Sequence, residues 1–137
     1  MKARMTLAAA GMLLAAAATT GCGSGSEAAT HVTIEVHYST FQPAELTLAA
    51  GVPLTITIEN NDPIGHEWIV GSAGVHQRHR TGTEPYHNEI PTEVSVDAYE
   101  TRVTTVTFDH AGDYLYVCHL PGHEAYGMTG TLHVVES

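Results

Sequence analysis

Basic residues are scarce in this chain, with 5 Lys and Arg against 15 Asp and Glu. The single lysine is Lys2, and from Cys22 onward the cations are Arg78, Arg80 and Arg102. Three arginines against 15 carboxylates give that part of the chain a formal charge of −12. Nucleic-acid binding needs a basic face and is excluded. Steering toward a cationic partner is compatible with the charge. Cysteine is equally sparse, with Cys22 and Cys118 alone. That number excludes a disulfide-dense scaffold, and a domain of this size can bury enough core without a staple. Long apolar runs are missing too. Met5 to Ala18 falls short of the roughly 20 residues that span a bilayer, and no other stretch approaches it. A helical period is absent beyond that run, although one turn could sit within 71–91. With 137 residues, one domain is expected.

The start of the chain has a different character from the rest. Lys2 and Arg4 precede the apolar run, and Thr19-Thr20-Gly21-Cys22 follows it. A basic start, a short apolar centre and a small-residue exit describe a secretory signal peptide over 1–21. The exit resembles the lipobox of bacterial lipoproteins, with Thr19 where Leu is usual. That resemblance implies a lipidated Cys22 and anchoring on the extracytoplasmic face of a bacterial membrane, periplasmic or at the cell surface. The other reading is ordinary secretory cleavage that leaves Cys22 a free thiol. Residues 22–30, rich in Gly and Ser, read as a flexible tether to a domain over 31–137.

From His31 onward the pattern is that of strands. Val32, Ile34 and Val36 alternate with polar residues, and so do Leu54, Ile56 and Ile58. Further strands are expected at Glu45–Leu48, His66–Val70, Glu93–Val96, Thr101–Phe108, Tyr114–Cys118 and Gly130–Val135. Asn60 to Gly65 is a run of turn formers. Residues 71–91 carry Gly71, Gly74, Gly82, Pro85 and Pro91 without a clean period and read as a loop or insertion. Seven or eight short strands between turns point to an all-β sandwich.

Chemistry concentrates in Cys118-His119-Leu120-Pro121-Gly122-His123-Glu124-Ala125-Tyr126-Gly127-Met128. Within it Cys-x4-His-x4-Met offers a thiolate, an imidazole and a soft thioether. Two His and one Cys with a weak axial Met make a blue-copper site. His66 is the best second imidazole, at a strand start just after a turn-rich loop. His119 follows Cys118 directly, so in an extended chain it points the opposite way and reads as a neighbour of the site or a surface residue.

These residues carry a resemblance to the cupredoxin family, which includes plastocyanin, azurin and sulfocyanin-like proteins. Phe41 to Gly51 is similar to the family's early strand and turn, and Asn60-Asn61-Asp62 before His66 is similar to the loop that delivers its first His. The resemblance covers about 31–135. It implies a Greek-key sandwich of seven to eight strands and one type 1 copper on His66, Cys118, His123 and Met128. It also implies a one-electron carrier rather than an enzyme, a monomer that meets redox proteins. Glu67 departs from the pattern. Plastocyanin and azurin have Asn there, and an ionised carboxylate cannot donate a hydrogen bond toward the Cys loop.

Other histidines have simpler roles. His31, His37 and His133 fall on outward faces and His110 in a turn. His76, His79 and His87 share one segment with Glu84 and Glu89. They either form a solvated surface or converge on a second Cu(II) or Zn ion. The second case would favour copper delivery or resistance over electron transfer.

Overall fold

The computed structural model describes residues 30–82 and 90–137. The expected signal peptide, the tether, Cys22, Glu84, His87 and Glu89 lie outside the described residues. Nine strands are present among those described: β1 (His31–His37), β2 (Thr40–Gln42), β3 (Glu45–Ala49), β4 (Leu54–Asn60), β5 (His66–Gly71), β6 (Glu93–Val96), β7 (Thr101–Val106), β8 (Gly112–Val117) and β9 (Thr129–Val135). One sheet has the order β2-β1-β4-β7 and the other β3-β9-β8-β5-β6. The pairs β1–β4 and β3–β9 are parallel, and the remaining pairs are antiparallel. Successive strands repeatedly change sheet, which is the sandwich topology expected. The strand beyond the expected eight is β2, too short at three residues to show an alternation.

Alternation sets the core. Leu54, Ile56 and Ile58 of β4 and Ile34 and Val36 of β1 point inward. They meet Trp68, Val70, Tyr116, Leu132 and Val134 from the opposite sheet. Tyr116 lies across Phe41 at 5.4 Å in an edge arrangement. Its hydroxyl donates to Pro43 O at 2.7 Å. The ring occupies the space above Gly130, where a Cβ would stand 2.1 Å from it.

The expected loop after β5 begins instead as a helix, α1 (Ala73–Thr81), which corrects the sequence reading. The N–H groups of Val75 and His76 bond Ser72 O, and Gly82 closes the helix with φ 70°. Arg78, His79 and Arg80 occupy its last turn, where positive charge suits the carbonyl end. Val75 packs against Gly71, which has no side chain to obstruct it. The helix escaped the sequence pattern because the residues it turns inward are His76 and His79 rather than an apolar stripe. No helix among the described residues is long and apolar enough to cross a membrane.

Candidate metal centre

Antiparallel pairing of β5 with β8 puts the first residue of β5 beside the end of β8. His66 is therefore delivered next to Cys118, which directly follows β8. The 118–128 loop then joins β8 to its partner β9. Cys118 N–H donates to Met128 O at 3.2 Å, and Met128 N–H donates to His123 O at 3.0 Å. His123 N–H donates to Leu120 O at 3.0 Å. Gly122 and Gly127 take φ of 87° and 93°, left-handed turns that a side chain would oppose. A short, internally bonded loop thus folds three expected donors onto one end of the sandwich.

The donor atoms of His66, Cys118 and His123 all lie within 4.8 Å of one another. His66 Nδ1 is 3.2 Å from His123 Nδ1, and Cys118 Sγ is 3.3 Å from that same nitrogen. Cys118, Met128 and His66 are buried, and His123 is half-buried. Two imidazoles and a thiol converging in an apolar surround suit a soft transition metal. Burial pushes the Cys118 thiol up, opposed by N–H bonds from Glu67 and Leu120. Burial also lowers His66, against the pull of Asp62.

Glu67 reaches the sulfur through its backbone. Its N–H donates to Cys118 Sγ at 3.4 Å. That hydrogen bond is made by the main chain and needs no particular side chain at position 67.

Asp62 was not singled out in the sequence beyond its place in a turn-rich loop. Its Oδ2 accepts the Nε2–H of His66 at 2.9 Å, which leaves Nδ1 of His66 to face the other donors. Burial raises the Asp62 carboxyl, but N–H bonds from Ser39 and Tyr38 and the contact with His66 outweigh it and hold it low.

His119 turns away from Cys118, as an extended chain requires, yet it is buried against α1 rather than exposed. His76 donates Nε2–H to Leu115 O at 3.1 Å, so its Nδ1 accepts from His119 Nε2 at 2.9 Å. His79 stacks on His119 with ring centres 5.2 Å apart. Arg80 grips Glu124, the neighbour of His123. Helix α1 therefore holds the ligand loop at two points. His79 spends Nδ1 on Val75 O at 2.9 Å and turns Nε2 to Glu93 at 3.6 Å. His66, Cys118 and His123 form the one convergent donor group of three among the described residues; the other members expected alongside His76 and His79, namely His87, Glu84 and Glu89, lie outside those residues. His31, His37 and His110 are exposed, and His133 is half-buried beside Asp113.

Comparison with known proteins gives a consistent picture. A family model described as a cupredoxin-like domain matches residues 4–134. Auracyanin-A of Chloroflexus aurantiacus is 34% identical over 97 residues, covering 61% of this chain and 60% of that protein. The copper-resistant cuproprotein CopI of Rubrivivax gelatinosus is 27% identical over 93 residues, covering 66% and 56%. The chain thus spans less than two thirds of the length of these relatives. The structure of auracyanin A, described as a "blue" copper protein, superposes with TM-score 0.62 at 30% identity, covering 77% of this chain and 98% of that one. Auracyanin from Roseiflexus castenholzii shares the fold, with TM-score 0.68 at 21% identity over 80% of this chain and 99% of its own.

Proposed function

The chain belongs to the cupredoxin-like family, and from that premise we propose that it is a type 1 copper protein carrying single electrons. The observation that supports this most is the convergence of His66, Cys118 and His123 donors within 4.8 Å. These three residues, with the soft thioether of buried Met128 as a fourth donor, would hold one copper. Bound copper supplies a couple between Cu(I) and Cu(II). The protein's part is to keep its donors still. Cys118 and Met128 are locked by backbone bonds at the base of the loop, and His66 starts a central strand. A packed sandwich resists deformation, so the donor set changes little between oxidation states. Half-buried His123 lies beside exposed Pro121, Ala125 and Tyr126, an apolar approach for a partner.

Cu(II) titration of the purified domain tests the reading. One equivalent should bind with intense visible charge-transfer colour, bleach reversibly on reduction, and lose that colour in Cys118→Ser. An intensely coloured Cys118→Ser protein sinks the ligand assignment. The likeness to a copper-resistance protein keeps a second reading in play, copper delivery or resistance. A second tight equivalent lost in His76→Ala/His79→Ala/His87→Ala would favour it.

The finer placement is part of the same reading. The domain works outside the cytoplasm, tethered through lipidated Cys22, and meets cationic redox partners. Membrane fractionation of Cys22→Ala tests the anchor: protein still wholly membrane-bound removes lipid at this position as its cause. Electron-transfer rates to a cationic partner should fall with ionic strength, since exposed charges are screened beyond about 8–10 Å at physiological salt.

A further inference from the structure

Asp62 joins two parts of the molecule that are remote in sequence. Its carboxylate accepts Tyr38 N–H on Oδ1 at 2.7 Å and Ser39 N–H on Oδ2 at 2.8 Å. The same Oδ2 accepts Nε2–H of His66 at 2.9 Å. Tyr38 and Ser39 form the two-residue turn between β1 and β2, with φ of 53° and 54°. Such turns ordinarily use Asn-Gly or Gly-Gly, because both central residues are left-handed. Here neither is glycine, and the carboxylate bonds both strained N–H groups.

The main chain of Asp62 is itself held at both its N–H and its carbonyl. Its N–H donates to Asn60 Oδ1 at 3.0 Å, and its carbonyl accepts Tyr99 N–H at 3.2 Å. Asn60 in turn donates to Ile64 O at 2.8 Å and Asp97 O at 2.9 Å. The side chain is only 6% exposed. A fixed, dry carboxylate therefore meets the imidazole face opposite the metal centre.

We propose that Asp62 is a positioning residue of the copper site: it locks His66 as the Nε2–H tautomer with Nδ1 aimed at Cys118 and His123, and it biases the site toward Cu(II). This rests on the copper reading above. A carboxylate behind a ligating imidazole raises that ligand's basicity, and its negative charge favours the more positive metal ion. The β1–β2 turn contributes by holding the carboxylate in place with two further N–H groups.

Asp62→Asn tests this, because it keeps the shape and removes the charge. The preference for Cu(I) over Cu(II) should rise about tenfold, a potential higher by about 59 mV for one electron. Asp62→Glu, which restores the charge, should return part of that shift. In the copper-free wild type, long-range proton–nitrogen spectra should show His66 purely as Nε2–H, with mixed tautomers in Asp62→Asn. Should Asp62→Asn not fold, glycine at 38 and 39 relieves the left-handed turn, and the substitution is measured in that background. A blue wild type with an unchanged potential in Asp62→Asn overturns the proposal alone. A wild type that takes up copper without the charge-transfer colour overturns the copper reading itself.

Discussion

His76 and His119 face each other with Nδ1 and Nε2 2.9 Å apart, so α1 is bonded directly to the residue that follows Cys118. Both rings are buried, so water cannot easily replace the bond between them. His119→Ala should therefore destabilise the copper-free domain by about 1–3 kcal/mol, the cost of leaving a buried polar partner unmatched. A double-mutant cycle with His76→Ala, followed by urea unfolding, should return a coupling of about 1 kcal/mol. Additive single effects would show that the contact carries no energy of its own.

The same cluster sets a pH dependence. Burial, with His76 next, pushes His119 down to about 4, Glu124 opposing and His79 and Arg80 assisting. Burial lowers His76 as well. Both fold in the neutral form, while the unfolded chain binds protons near the ordinary value of about 6.5. Stability is thus complete above that value and is lost as pH falls toward about 4. Asp62 and Glu124 are also held below their ordinary values, so their contribution is lost at still lower pH. Chemical denaturation of the copper-free domain between pH 7 and 4 should show the decline, and His119→Phe should make it shallower, the remainder coming from His76 and His66, which burial also lowers.

Met128 is fully buried and packed into the core cluster. Met128→Leu conserves volume, so stability should change by less than about 1.5 kcal/mol. Colour and reduction potential should nevertheless move, because the weak axial bond tunes the metal. A spectrum identical to wild type would remove Met128 from the ligand set.

Gly130 has no room for a side chain, since its Cβ would stand 2.1 Å from the Tyr116 ring. Gly130→Ala should cost about 1–3 kcal/mol through overpacking. Tyr116→Leu in the same chain should recover part of that loss, measured by thermal unfolding. Tyr116→Phe should not, because the ring carbons that collide remain.

The sequence was most legible where chemistry and period coincide. Cys118, His123 and Met128 could be read together because one short loop carries them, and β1 and β4 because Ile34, Val36, Ile56 and Ile58 alternate. Helix α1 was illegible because it buries imidazoles, which pattern reading counts as polar. Asp62 was visible only as a turn former in the loop that leads to His66. Its contacts with Tyr38 and Ser39 join residues more than twenty positions apart, and no local spacing encodes them. His119 was read in the right direction, and of its two readings only the surface one fails, since nothing in the sequence placed a helix there to receive it.

Arg80 sits against Glu124, and Arg102 lies 3.5 Å from Glu100. Two of the few cations are thereby cancelled where they stand. The charge that is left over is overwhelmingly of one sign. Such a field can hasten encounter, but it has little power to say which end of the molecule should be met first. Orientation would then be settled after collision, by a search across the surface that ends where the fit around His123 is best.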